Sequence, residues 1–207
     1  MPIPTTNATQ ELPAVNQILA SVGQAPVTTL DQTNPDVAIA YDTLLQVSKE
    51  VQAEGWTFNQ EFEYEIVTNN NKEYEIPNNM LQIDFSESYK GNIDPVRRDG
   101  KIYDRYNHTY TLGDNAGDEF KVDVVWLFDW IDLPAPVQNY IVAKAATIAA
   151  QRIIGDPQLI QTLQQREALA RANALEYECN QGDFTIFGHP EGNRHYTSYK
   201  PYTALQR

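Results

Sequence analysis

Residues 136–179 predict two α-helices joined by a tight corner, and the rest of the chain has to be built around them. In the first half, one residue in every three or four falls on a single stripe, which is the spacing of an α-helix. That stripe comprises Val137, Tyr140, Ile141, Lys144, Ala145 and Ile148. Gly155 is expected to end this helix, Asp156 to cap the next one, and Pro157 to take its first position, where a missing N–H is no loss.

The second helix has an inward face with small residues, which allow a neighbouring helix to approach closely. That face comprises Leu159, Ile160, Leu163, Glu167, Ala170, Ala174 and Tyr177. Neither helix is apolar enough to be buried on all sides, so both need a further layer to cover them. Two earlier stretches predict the helices of that layer: residues 11–22, and a longer helix that Asn34 caps and that runs to Gly55.

The hydrophobic period changes from near 3.6 to 2 after Gly55, which predicts strands. Residues 56–66 are expected to form one half-buried strand, and residues 73–76 to return as its partner. Asp99-Gly100 favours a two-residue type I′ turn and therefore a hairpin over residues 96–103. Residues 120–126 predict the last strand. The side chains expected to point inward from the first strand are Trp56, Phe58, Phe62, Tyr64 and Ile66.

The predicted fold class is therefore α+β, a bundle of about four helices with a β-rich insertion domain and an extended C-terminal tail. Residues 1–55 and 133–179 are assigned to one discontinuous helical domain. Residues 56–132 are assigned to the insertion domain, and residues 180–207 to a C-terminal docking tail.

The net charge of −13 makes nucleic-acid recognition unexpected, because binding to phosphates needs a clustered basic surface. No run of about eighteen apolar residues predicts a membrane span, and the first ten residues lack the features of a secretory signal. The protein is expected to fold in the cytoplasm where it is made. Cys179 is the lone cysteine, so it has no internal disulfide partner, in agreement with a reducing compartment.

No cofactor or metal site is expected from the motifs in the chain. His108, His189 and His195 lack the spacing of metal ligands. The loop over residues 113–118 lacks the alternating acids of a calcium site and is expected to be a flexible tip. No glycine-rich phosphate loop occurs either.

Glu61, Glu63 and Glu65 are expected on one face of a strand, with neighbours about 7 Å apart. Two carboxylates at that distance are what a glycan hydrolase requires, so this enzyme class is the alternative function. A solvated strand face is the simpler interpretation, because nothing in the sequence indicates an apolar pocket that would raise the pKa of one carboxyl. A second acidic set, open to the same objection, comprises Asp123, Asp129 and Asp132.

The end of the chain, residues 181–207, has no helical period and yet is rich in aromatic residues: Phe184, Phe187, Tyr196, Tyr199 and Tyr202. Disordered tails are usually poor in aromatics. The segment is therefore predicted to become ordered against a partner, where such rings dominate the binding energy. The alternative is that it packs on its own domain.

Several short sequence motifs of this chain occur in the same order as in one known protein family. The first are Glu11-Leu12, Ala14-Val15-Asn16, the run from Ile18 to Gly23, Pro26-Val27, Leu30 and Gly55-Trp56-Thr57-Phe58-Asn59. The later ones are the run from Lys101 to Arg105, Leu133-Pro134, Ile141, Lys144-Ala145 and Gly155. Together they resemble the tail tubular protein A family of short-tailed bacteriophages over most of the chain.

The resemblance implies a structural adaptor without enzymatic activity. It would form a dodecameric ring in the virion tail, at the portal vertex, and join the portal protein to the tail nozzle protein. Double-stranded DNA would pass through the ring without specific binding. A portal or a head-completion protein of another phage class is the alternative within viruses.

Two sets of residues would serve such an adaptor. Acidic walls repel phosphates and let a duplex slide, and the expected channel-lining residues are Glu61, Glu63, Glu65, Glu73 and Glu75. The resemblance implies that the helical end of the ring docks on the portal, and the tail is expected to leave that end after the last helix. The expected portal-binding residues are Phe184, Phe187, Arg194, Tyr196, Tyr199, Lys200, Tyr202 and Arg207.

Overall fold

The computed structural model describes residues 8–31, 33–85 and 93–182, which form four α-helices and two antiparallel sheets. The helices are α1 (Ala8–Ser21), α2 (Pro35–Gln52), α3 (Ala135–Ile153) and α4 (Pro157–Gly182). The strands are β1 (Gln60–Val67), β2 (Met80–Phe85), β3 (Pro95–Arg98), β4 (Lys101–Asp104) and β5 (Glu119–Trp126). The predicted α+β class is confirmed. None of the described helices is long and apolar enough to cross a membrane.

Helix α3 is the centre of the helical layer. It packs against α1, α2 and α4, and α1 also packs against α2. Between Tyr140 and Ala150 no residue of α3 is exposed, which is more burial than the single predicted stripe implies. Alanines on its other sides let the neighbouring helices approach closely. The expectation that neither of the last two helices is buried all round therefore holds for α4 and is wrong for the middle of α3.

The predicted start of α2 and the predicted corner between α3 and α4 are confirmed by their caps, whereas α1 begins three residues before the predicted Glu11 and α2 ends at Gln52 instead of Gly55. The Oδ1 of Asn34 accepts a hydrogen bond from the N–H of Asp36 at 3.1 Å, at the start of α2. At the corner between α3 and α4, Gly155 has a φ of 72°. There the Oδ1 of Asp156 accepts from the N–H of Gln158 at 3.0 Å. The seven residues predicted to face inward from α4 are all buried or half-buried.

The main sheet has the strand order β1-β5-β2, and β3 and β4 form a separate hairpin. In that hairpin Asp99 and Gly100 both have positive φ, 53° and 74°, as the predicted type I′ turn requires. The predicted last strand is confirmed as β5 and lies in the middle of the sheet. A short 3-10 turn, Trp130–Asp132, leads from β5 towards α3.

The predicted strand over residues 56–66 is wrong in its first part, because residues 57–59 form a turn and β1 starts after it. The alternation also fails within β1, where the register shifts between Glu61 and Tyr64. Phe62 is 53% exposed and Tyr64 is 38% exposed, so of the inward residues predicted for β1 only Ile66 is buried. One extra residue in a strand reverses the faces of the residues that follow it.

The predicted pairing of residues 73–76 with the first strand is also wrong. The N–H of Ile76 donates to the carbonyl of Gly100 at 2.8 Å, and the N–H of Ile102 donates to the carbonyl of Tyr74 at 3.1 Å. This segment therefore runs beside β4. Strand β1 pairs with β5 instead, whose alternate residues Phe120, Val122 and Val124 give it a buried apolar face.

Two clusters of buried side chains hold the described residues together. One lies among the four helices and includes Trp56 and Leu133. The other lies on one face of the main sheet and reaches Ile102 of the hairpin. Phe128 packs against both clusters. The predicted boundaries of helical domain, insertion domain and tail stay a prediction.

Candidate functional site

The bulge in β1 separates two of the strand acids that the sequence places on one face. Residues directly opposite each other in a sheet share a face. Glu61 lies opposite Val124, whereas Glu65 lies opposite Lys121. Val124 is buried in the cluster of the main sheet. Side chains alternate between the two faces along a strand, and Lys121 is three positions from Val124, so Lys121 lies on the other face. Glu61 and Glu65 therefore lie on opposite faces, and the predicted common face is wrong.

The acids of β1 also differ in their neighbours. The Oε2 of Glu61 accepts a hydrogen bond from the Nε1–H of Trp126 at 3.0 Å. The Oε2 of Glu63 lies 3.4 Å from the Nζ of Lys121. Glu63 has a φ of 54°, and its N–H donates to Asp123 at 3.0 Å, which holds the bulge in place. The geometry gives no support to two of these carboxylates acting together as acid and base.

The remaining two predicted channel residues lie beside the β3-β4 hairpin. Glu73 forms an ion pair with Lys101 at 2.5 Å, and this hydrogen bond raises the pKa of Lys101. The backbone of Glu75 forms an isolated antiparallel β-bridge with the backbone of the same lysine. The five predicted channel residues are thus accompanied by two lysines, Lys101 and Lys121, which leaves a surplus of three negative charges.

The loop over residues 113–118 is a closed, hydrogen-bonded turn, whereas the sequence predicts a flexible tip. The Oδ2 of Asp118 accepts from the N–H groups of Asn115 and Asp114, both at 2.9 Å. The hydrogen bond from the backbone of Asn115 has the largest effect on the pKa of Asp118, which it lowers, and the one from Asp114 acts in the same direction. Within the described ranges, no group of three or more His, Cys, Asp or Glu side chains is arranged to hold a metal ion.

A buried polar junction, which the sequence does not predict, joins the end of α2 to the sheet. Its centre is Asn59, which is fully buried. The Oδ1 of Asn59 accepts from the N–H of Trp56 at 2.8 Å. Its Nδ2 donates to the carbonyls of Gln52 at 2.9 Å and Trp126 at 2.8 Å. One side chain thus holds the last turn of α2, the turn before β1 and the end of β5.

Two further side chains complete this junction. Gln52, also fully buried, donates from Nε2 to the carbonyl of Phe128 at 3.2 Å and accepts the N–H of Phe128 at 2.7 Å. Glu178 of α4 accepts from the N–H and the Oγ1 of Thr57, at 2.7 and 2.5 Å. The signal for a turn here is Gly55 followed by Asn59, residue types that favour turns over strands.

The eight predicted portal-binding residues, from Phe184 to Arg207, lie outside the described residues. The same holds for His189 and His195. The assignment of the portal contact to this segment therefore stays a prediction.

Comparison with known proteins gives one family. A family model described as tail tubular protein matches residues 12–184, from within α1 to beyond the end of α4. The matched range includes both sheets and the polar junction between α2 and β5. The comparison with curated proteins gave no match.

Proposed function

The chain belongs to the tail tubular protein family and has a structural role in a phage tail, and from that premise we propose that it is the adaptor between the portal protein and the tail nozzle protein. In this role it forms a ring of twelve copies at the portal vertex, assembled in the host cytoplasm, and double-stranded DNA passes through the centre. The observation that carries the proposal is the length of the family match, which runs from within α1 to beyond α4 and includes the five described strands.

The acid surplus supports a channel for DNA. A moving duplex needs walls that do not bind its phosphates, because a basic wall would hold it by counterion release. The candidates for that wall are Glu61, Glu63, Glu65, Glu73 and Glu75. These five acids exceed the two lysines paired with them, Lys101 and Lys121, by three negative charges.

The contact with the portal is assigned to the segment that follows α4. Its aromatic residues have the character of interface anchors, and in this proposal Arg194, Lys200 and Arg207 pair with acids of the portal. This segment carries a net charge of +1 over residues 180–207, in contrast to the acidic remainder of the chain. The contrast in charge favours contact with an acidic partner surface.

The test is binding to portal-bearing capsids that lack the tail. The wild-type protein is expected to co-sediment with them and to appear in electron micrographs as a ring with a central hole. The double substitution Tyr196→Ala with Tyr199→Ala is expected to weaken binding by about 30-fold, which corresponds to two interface anchors of about 1 kcal/mol each.

Tyr106→Ala provides the matched control, because Tyr106 is a tyrosine with 70% exposure in a turn after β4. It is expected to bind capsids as the wild type does. Equal binding by the double variant would move the portal contact away from this segment. A wild-type protein that forms no rings, alone or on capsids, would contradict the adaptor function and favour a head-completion protein.

A further inference from the structure

The outer face of α4, on the side opposite its buried residues, has a stripe without charge. Its residues are spaced by four and three in alternation, as in a coiled-coil seam, and all are exposed: Gln161, Gln165, Ala168, Ala172, Leu175 and Cys179. A helix face that points into water normally carries charged residues. Beside the stripe Leu169 is 64% exposed, and within it Leu175 is 45% exposed.

Two of the five charged residues of α4 are engaged with their own molecule. Arg171 donates to the hydroxyl of Tyr140 at 3.1 Å and lies 3.3 Å from a carboxylate oxygen of Glu54. Glu178 accepts two hydrogen bonds from Thr57. Arg166 and Glu176 are exposed as well, and Glu176 adjoins the stripe, whose own six residues carry no charge.

A second neutral face lies on α1 and the connection after it. Residues 12–30 contain no charged residue, in a chain of which 21% of the residues are charged. The exposed side chains of this stretch include Pro13, Gln17, Ala20 and Gln24. The one charged residue of α1, Glu11, is buried. The outer face of α1 is therefore without charge, as is the α4 stripe.

The helical layer separates these two faces. Helix α4 has its main contacts with α3, and α1 packs on α3 and α2, so α3 lies between α4 and α1. A closed ring of identical subunits needs two different faces on each copy, one for each neighbour. Copies with a charge of −13 repel each other through acidic surfaces, whereas two neutral faces meet without that repulsion. Alanines in the α4 stripe allow a neighbouring helix to come close.

We propose that the ring, whose existence rests on the proposed function, is closed by the outer face of α4 in one copy packing on the outer face of α1 in the next copy. The contact is head-to-tail, and the occupant of the α4 face is a second copy of this chain. The α4 face, at 26 residues and 1.5 Å per residue, offers a helix of about 39 Å for this contact.

The experiment places charge in the α4 stripe. The variant Ala168→Glu with Ala172→Glu is expected to reduce the fraction of protein in rings by about tenfold or more, since buried unpaired carboxylates in the contact are unfavourable. Ring formation is measured by light scattering and electron micrographs, in isolation and on portal-bearing capsids. The matched control is Thr162→Glu with Asn173→Glu, which adds the same charge to exposed positions of the same helix outside the stripe. The control is expected to form rings.

A rescue identifies the opposite face. Gln17→Lys with Ala20→Lys on α1 is expected to impair rings alone and to restore them when combined with Ala168→Glu and Ala172→Glu, because opposite charges then meet across each contact. Circular dichroism of the monomers checks that each variant is folded. Loss of rings without rescue would show that the α4 face meets a surface other than α1, and the proposed contact would be wrong.

The other possible results distinguish a wrong ring contact from a wrong adaptor function. If the acidic α4 variant still forms rings, the α4 contact is wrong while the adaptor function stands. Intact rings that no longer bind capsids would assign the α4 face to the portal. Intact rings with a lower thermal midpoint would assign it to another part of the same chain. If the wild type itself forms no rings, it is the proposed function that fails.

Discussion

At the scale of single residues, amide side chains join the helices to the sheet. Asn59 and Gln52 lie between the two hydrophobic clusters, in an environment where an unpaired polar group is unfavourable. All the contacts described for Asn59 go to backbone groups: one N–H and two carbonyls. An amide can serve both kinds of group at once, whereas a carboxylate or an apolar residue cannot.

Asn59→Ala is therefore expected to lower the free energy of unfolding by about 3 kcal/mol, because the partner groups are left buried without hydrogen bonds. Urea denaturation measures this loss. Asn70→Ala is the matched control, since Asn70 is exposed in a turn, and its effect is expected to stay within about 0.5 kcal/mol. Similar losses for the two variants would show that the junction does not stabilise the fold.

Glu11 is a buried carboxyl at the start of α1, with 4% exposure. Its Oε2 has no hydrogen-bond partner among the described residues. Burial raises the pKa of Glu11 above its ordinary value, a hydrogen bond from Tyr41 opposes the rise, and the charge of Asp129 adds to it. The folded protein therefore keeps the proton on Glu11 to a higher pH than the unfolded chain does.

A raised carboxyl pKa contributes stability below the pKa of the unfolded chain, and this contribution is lost as the pH rises through the folded pKa. Glu11→Gln is thus expected to become more stable relative to the wild type as the pH rises from the ordinary value of 4.5 towards neutrality. Thermal midpoints of both proteins across this range measure the difference. Glu119→Gln, at an exposed position of β5, is expected to show no such trend. A constant difference between Glu11→Gln and the wild type would contradict the assignment.

At the scale of elements, the bulge in β1 decides which acids are available to a channel. Glu63 and Glu73 are paired with lysines, while Glu61, Glu65 and Glu75 are exposed. Because Glu61 and Glu65 lie on opposite faces of the sheet, a channel lined by one face of the sheet would be in contact with only one of them. A channel lined by the edge of the sheet, where β1 lies, would be in contact with both.

Replacing Glu61, Glu65 and Glu75 by Lys is expected to slow genome ejection while particles still assemble, because added positive charge binds the phosphates of the moving duplex. Ejection is followed by the release of DNA from purified particles after triggering. The same three residues replaced by Gln remove the acids without adding cations, and a smaller delay is expected. Unchanged ejection in the Lys variant would contradict a channel position for these acids.

At the scale of the whole molecule, the helices were predictable and the strand pairing only partly so. Helix ends depend on neighbours in sequence, as at Asn34 and Asp156, and a period of 3.6 is visible within one stretch. The pairing of β1 with β5 joins residues about sixty positions apart, and no local pattern specifies it. The bulge at Glu63 and the junction at Asn59 also depend on β5. The hairpin at Asp99-Gly100 was predictable because its partners are adjacent.

The hydrogen bonds between Gln52 and Phe128 join residues 76 positions apart and close the segment that contains the five described strands into one loop. Closing a flexible loop of that length has an entropic cost of about 4 kcal/mol at 25 °C beyond a constant. The helix pairs α1-α2 and α3-α4 are each local in sequence, but the contact of α2 with α3 requires this closure. Order in the sheet shortens the free part of the loop, so the completion of the helical layer is thermodynamically coupled to the folding of the strands.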